Sequence, residues 1–290
     1  MKAYLPEGHR IHTAENQSYL ASIDSLAQAM EDRVVLEAWA ERCDREKNLH
    51  VRLGDFYGII PREETALGLT EGSIREIAVL ARVGRPVCFR VVGLQANDGV
   101  LTPILSRRGA QLAARAHLRS LALGTVVDAT VSHMERFGAF VDVGCGLNSM
   151  IPIDRISISR IDHPCRRFRL GQEIKAVYAG YDEERSHVLL SHKELLGTWE
   201  ENAGQFSPGE TVTGVVRGIQ PYGIFIELAP NLTGLAEYTE GLVENQRVSV
   251  FIKSIQPQRK KLKLLVIEGL EPETAPCPLD YPQVDWVTLT

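Results

Sequence analysis

The chain has 290 residues, 37 of them acidic and 32 basic, for a formal net charge of -5, and 44% are hydrophobic. That length suits two or three domains with real cores, while the acidic balance excludes a uniformly basic polyanion binder, so any affinity for phosphate must come from local clusters. The five cysteines are scattered and never form a CxxC pair, which argues against a disulfide framework or a zinc site, and the absence of an apolar segment after Met1 or of any apolar run near 18 residues predicts a cytoplasmic protein without a membrane span.

Residues 1–30 read as an N-terminal helical extension with a short helix over 19–30. From 31 to 106 the pattern changes to strands. Val35-Leu36-Glu37-Ala38-Trp39 and Leu49-His50-Val51-Arg52-Leu53 are separated by a turn-like stretch from Cys43 to Asn48, and Gly58-Ile59-Ile60-Pro61 and Ile104-Leu105-Ser106 follow. Residues 107–121 predict an amphipathic linker helix capped by Ser106, with Leu112, Ala116, Leu118 and Leu121 opposed to Arg107, Arg108, Arg115 and Arg119.

Residues 122–191 carry the most informative motif, Phe137-Gly138-Ala139-Phe140, set between Val131 and Val143. Alternate side chains of a strand face opposite ways, so aromatics three apart are expected to need a bulge, and Gly138 supplies the freedom for one. Strand aromatics are more often core than surface, but the quartet returns as Tyr222-Gly223-Ile224-Phe225 in the same surroundings, which favours an exposed platform on which bases stack. Between the two copies, residues 192–206 read as a second linker helix with Leu195, Leu196, Trp199 and Phe206 as its apolar set, Trp199 clamping two barrels together.

Residues 207–268 restate the second segment in shorter form, and 269–290, with four prolines among acids, predict a flexible tail. The whole pattern, from Leu123-Gly124 through the aromatic quartet, Val141-Asp142-Val143-Gly144, Met150-Ile151-Pro152, Leu170-Gly171-Gln172 and Tyr181-Asp182 to Leu189-Leu190-Ser191, resembles the RNA-binding repeat of the bacterial ribosomal protein S-one family. The resemblance implies a mainly β fold of three tandem five-stranded OB barrels, the first and third degenerate, joined by short helical linkers. Gly58 to Pro61 and Ile104 to Ser106 parallel the second repeat, so residues 31–106 form the first barrel, which has the frame without the aromatic platform.

In the repeats of that family, RNA meets two aromatics, a third-strand histidine, an aspartate and a basic residue. By resemblance these fall on Phe137, Phe140, Asp182 and His187 with Arg185 close by, while Pro152 holds the histidine position. In the third repeat Tyr222, Phe225 and Lys261 match, with Gln256 in place of the aspartate and Glu237 in place of the histidine, which weakens it. Pro61 stands there in the first repeat, which is expected to bind protein or merely pack. Basic clusters at Arg166, Arg167 and Arg169 and at Lys261 and Lys263 are expected to meet phosphate, although such runs are as often solvated faces.

No nucleotide-binding or hydrolytic motif is present. His133 with Asp142, and His187 with Glu184, are better explained as solvated polar residues than as acid–base pairs, and Asp182-Glu183-Glu184 as a turn rather than a metal site. The expectation is a non-enzymatic protein without cofactor, metal or small-molecule substrate. It holds single-stranded RNA or mRNA near the small ribosomal subunit and assists translation. The alternatives are a free RNA-binding regulator or decay accessory, and a ribosome-docking module whose barrels touch mainly protein.

Overall fold

The computed structural model describes residues 4–97, 100–184, 187–272 and 281, and its contacts divide the chain into two compact units. One comprises residues up to 121 together with 128–130 and 142–149, and the other the remainder.

The first unit opens on two helices where the sequence predicted one over 19–30. These are α1 (Ala14–Leu20), capped by Thr13, and α2 (Ile23–Glu31), capped by Ser22, whose hydroxyl accepts from the Ser25 amide. A cap requires extended backbone, so the serine that starts α2 also ends α1. Both helices contribute to the core of a closed barrel, with Leu20, Leu26 and Ala29 against Leu36, Leu49, Val51, Phe89 and Leu105. The barrel consists of β1 (Leu36–Cys43), β2 (Leu49–Leu53), β3 (Phe56–Ile60), then, after the short α3 (Ile77–Leu80), β4 (Arg85–Asn97) and β5 (Val100–Ser106), hydrogen-bonded in the order β1-β2-β3-β5-β4. The linker helix α4 (Arg107–Arg119) follows, with the Ser106 hydroxyl accepting from the Gly109 amide at 2.7 Å, and buries Ala110 and Ala114 against Val35, Cys88 and Cys145.

A buried charge network fixes the start of the chain in this unit. The Glu7 carboxylate accepts from Arg107 Nε at 2.7 Å and Arg82 at 3.1 Å. Burial alone would raise the Glu7 carboxyl, but the two guanidinium groups hold it below its ordinary value. Asp142 accepts from the Glu7 amide at 2.8 Å and from Gly144 at 2.9 Å, yet burial and the charge of Glu7 push its carboxyl up to about 7.

The second barrel is formed by β6 (Val126–Glu135), β7 (Gly138–Asp142), β8 (Asn148–Pro152), β9 (Glu173–Asp182) and β10 (His187–Ser191), and the third by β11 (Thr211–Gln220), β12 (Gly223–Ala229), β13 (Leu232–Ala236), β14 (Gln246–Gln256) and β15 (Lys261–Pro272). All three share one cyclic strand order, and each closes through a parallel contact between its third and fifth strands: Ile59 with Ile104, Met150 with Leu189, and Leu235 with Lys263. The mainly β, three-barrel OB architecture expected from the sequence is the observed one.

The second linker departs from the expected continuous helix over 192–206. A single 3-10 turn at Lys193–Leu196 is followed by Gly197 at φ +77° and then by the five-residue α5 (Trp199–Ala203), begun by a capping box of Thr198 and Glu201. A left-handed glycine ends one turn and a cap begins the next, so the apolar set that suggested one helix belongs to two. Trp199 packs in the core of the third barrel with Val216, Ile226 and Leu262. β15 continues through Pro272, four residues past the expected end of the repeat, pairing Gln246 with Pro272. Residues 273–280 and 282–290 of the expected flexible tail lie outside the described residues. No helix among the described residues is long and apolar enough to cross a membrane.

His192 is fully buried in the second unit, its Nδ1 3.1 Å from the Ile156 carbonyl oxygen and its Nε2 3.0 Å from the Tyr281 hydroxyl, with Phe168 edge-on at 4.9 Å. Burial pushes its pKa down from 6.5 to about 4. The folded state therefore binds the proton less readily than the unfolded one. The stability contributed by neutral His192 is complete above about pH 6.5 and is lost as the pH falls through about 4. Denaturation midpoints measured from pH 7 to pH 4 should fall more steeply for the natural chain than for His192→Gln, and parallel curves would refute this assignment.

Candidate nucleic-acid interface

The two aromatic pairs adopt the same geometry. Phe137 and Phe140 have ring centroids 6.0 Å apart at 88°, and Tyr222 and Phe225 are 6.1 Å apart at 87°. Phe137 and Tyr222 are 57% and 69% exposed, whereas Phe140 and Phe225 are half-buried on strands whose neighbours Ala139, Val141, Ile224 and Ile226 fill the cores. The expected bulge at the glycines is not how the rings meet. Phe137 and Tyr222 lie in the hairpin turns that precede β7 and β12, so strand alternation does not govern them. In the β11–β12 hairpin the register breaks instead on β11, between Val216 and Gly218.

The glycines serve a different purpose. A Cβ on Gly138 would stand 2.6 Å from the Ile151 carbonyl oxygen, and one on Gly223 2.5 Å from that of Ala236. Each glycine lets the third strand of its barrel pass directly under the aromatic turn.

Sequence reasoning missed His133, which it set aside as a solvated polar residue. Its ring lies 6.0 Å from that of Phe140, inclined by 30°, and its Nε2 is 2.8 Å from Glu135 Oε1, so β6 adds a third ring to the face. Only the hairpin register reveals this, because the corresponding residue of the third barrel is Gly218, opposite Phe225. The third barrel compensates with charge. Phe225 is opposite Leu235, and Leu235 is opposite the exposed Lys263, which makes one outward row. In the second barrel the same place holds Leu189, opposite Met150. The first barrel puts His50 at the position of the second aromatic, held by Asp44 Oδ2 at 3.1 Å.

The basic residues divide sharply. Arg167, expected on a phosphate path, is 3% exposed and donates to Glu227 Oε1 at 2.5 Å, with Arg217 on the other carboxylate oxygen at 2.6 Å. It is a structural ion pair, because the insertion that carries it folds onto the β12–β13 hairpin. Arg166 is half-buried and paired with Asp162 at 3.1 Å, and Arg169 is exposed. Asp182 and the exposed His187 face each other in register across β9 and β10, while Arg185 lies outside the described residues. Lys261 is exposed opposite Gln256, and Glu237, at the family's histidine position, pairs with Lys253 at 3.0 Å. Pro61 and Pro152 each begin a 3-10 turn after the third strand and serve the backbone. Among the described residues no cluster of His, Cys, Asp or Glu could hold a metal ion.

Exposed rings beside a short, closed barrel sheet offer π faces to planar groups, and the scattered cations around them are too few for a duplex-binding surface. The fold and this face define a tandem OB-barrel protein with an exposed aromatic face on its second and third barrels. Residues 120–193 match the S1 RNA binding domain family. It is similar to the small ribosomal subunit protein bS1 homolog of Bacillus subtilis, 29% identical over 52% of this chain and 42% of that protein, and to small ribosomal subunit protein bS1 of Rhizobium meliloti, 26% identical over 68% and 37%. The chain thus spans about two fifths of the length of these relatives. It is also similar to a 4-hydroxy-3-methylbut-2-enyl diphosphate reductase of Fusobacterium nucleatum, 31% identical over 50% of this chain and 19% of the enzyme.

Two substitutions separate structural from interfacial residues. Gly138→Ala should lower stability by about 1–3 kcal/mol, as for other overpacked sites, since the obstructing atom is backbone. An unchanged melting temperature would contradict the close approach. Arg167→Gln should lower stability by roughly 2–4 kcal/mol, because it breaks a buried pair, and should leave the salt dependence of nucleic-acid binding unaltered. Denaturation and binding titrations of the same variant check both parts.

Proposed function

We propose that this protein binds single-stranded RNA, chiefly through the second barrel, and acts in the cytoplasm at the small ribosomal subunit in the manner of the bS1 proteins it resembles. The observation that carries this reading is the recurrence of the T-shaped aromatic pair at one register position of two barrels, joined in the second by His133. Bases stack on Phe137, Phe140 and His133, while Arg169 and His187 meet the strand where it leaves the rings, and Asp182 accepts from base or sugar. Arg166 is a weaker contributor because Asp162 already faces it. The third barrel, with Tyr222, Phe225, Lys261 and Lys263, extends the track. Glu237 opposes phosphate there, so its share is smaller.

Nothing in this reading calls for catalysis, cofactor or small substrate. The similarity to the reductase covers a fifth of that enzyme.

Replacing Phe137 and Phe140 together by alanine should weaken binding of a labelled uridine oligonucleotide by roughly 2–4 kcal/mol at every salt concentration. Fluorescence polarisation measures it, and an unchanged dissociation constant in the folded variant would remove the platform from the account. The slope of log affinity against log salt should be shallow, roughly -1.5 to -3, since only about 2–4 phosphates can be neutralised. Arg169→Gln should flatten it by about 0.7. A slope near -6 would place the phosphate path over other residues.

A further inference from the structure

The first barrel lacks the aromatic pair, yet one register row away it exposes two other rings. Trp39 of β1 is opposite Arg52 of β2, and Arg52 is opposite Tyr57 of β3, with both rings 47% exposed. The register of β1 shifts between Ala40 and Arg42 and that of β11 between Val216 and Gly218, so the two barrels can be compared row by row. Trp39, Arg52 and Tyr57 correspond to Val215, Glu227 and Thr233, and Glu41 corresponds to Arg217.

In the third barrel this row is covered by an earlier segment of the chain. Arg167 sits on Glu227, and the Ser159 hydroxyl lies 2.8 Å from that of Thr233. The equivalent row of the second barrel is covered in the same way, with His9 Nε2 3.1 Å from the Thr130 hydroxyl and the Glu7 amide donating to Asp142. The first barrel leaves the row open and reverses its ion pair. The carboxylate of Glu41 stands where Arg217 does, accepting from Arg52 at 3.4 Å and from the Tyr57 hydroxyl at 2.9 Å, and the guanidinium of Arg52 stands where the carboxylate of Glu227 does. Beside Trp39 opens a cavity of about 550 Å³ lined by Ile11, Leu20, Ala38 and Asp55 among others.

We infer that the row Trp39, Arg52 and Tyr57 is a docking surface for a segment of a partner protein that sets one carboxylate on Arg52 and an apolar side chain against Trp39 at the cavity. The charge reversal selects the sign of the incoming group. Where the third barrel places a guanidinium on each side of Glu227, the first barrel offers Arg52 with one carboxylate already in place and room for a second. Tryptophan, tyrosine and arginine are also the side chains that dominate protein interfaces when they cluster. RNA is the competing occupant, since the rings could stack bases. Glu41 and Asp55 oppose a run of phosphates and leave Arg52 able to take a single acidic group.

The test reads the indole N–H resonance of Trp39 in the nitrogen-15-labelled full chain, assigned through Trp39→Phe. The probes are a short leucine-rich peptide carrying one glutamate, its counterpart with lysine in that place, and a uridine oligonucleotide. The acidic peptide should shift the Trp39 resonance saturably and the basic one should not. Arg52→Glu, at an exposed position that leaves the core intact, should weaken the acidic peptide about tenfold or more and make the basic peptide the better ligand. The proposal is overturned if the acidic peptide produces no shift at millimolar concentration, if Arg52→Glu leaves its affinity unaltered, or if the oligonucleotide alone moves the resonance.

Discussion

The register of the first hairpin in the first and third barrels governs both of their outward rows. In β1 and β11 one residue is unpaired against the partner strand, Glu41 and Arg217 respectively, and this single irregularity decides which residues stand opposite one another on either side of it. Beyond the break, toward the turn, the row is that of the aromatic face, Phe225 with Leu235 and Lys263. Before it, the row is that of Glu227 and Thr233, where protein packs on protein. A shift of one residue would send the core side chains Ile224 and Ile226 outward, so burial of those side chains holds both rows in place.

The three copies of one frame differ along these rows. Gly58 and Gly234 occupy the same position on the third strand, and in each a Cβ would strike a leucine of the fifth strand, Leu105 or Leu264, at 2.7 and 2.6 Å. The closure between third and fifth strands therefore calls for glycine in the first and third barrels, while the second has Ser149 at that place. One barrel shows histidine, phenylalanine and methionine on its aromatic row, another phenylalanine, leucine and lysine, and the first a histidine tied down by aspartate.

The barrel count, most strand positions other than Arg85–Asn97 and the two aromatic pairs were legible in the sequence because they depend on local signals: alternation, glycine beside an aromatic, and repetition at a fixed offset. What could not be read depends on partners far apart in the chain. Arg167 looked like one member of an exposed basic cluster, and only the fold brings Glu227 to it across 60 residues. His133 looked solitary, because its neighbour Phe140 lies across a hairpin. The linker over 192–206 satisfied a helical period, yet Gly197 and the Thr198 cap interrupt it, a local signal that the apolar spacing obscured. Trp39 and Tyr57 were invisible as a pair since each stands alone on its own strand.

The ion pair of Arg167 with Glu227 also bears on modularity. A repeat protein invites dissection into single barrels, each assigned its own share of the activity. Here the second barrel contributes the arginine, and the third barrel contributes the carboxylate and the Arg217 that shares it. Excising residues 120–193 would release Arg167 into water and give that fragment a cation it does not display in the intact chain. The matching fragment of the third barrel would gain an uncovered acid. Isolated pieces would then differ in surface charge from the same residues in place, the second gaining and the third losing attraction for a polyanion. The shared ion pair makes the two barrels one structural piece in this half of the molecule.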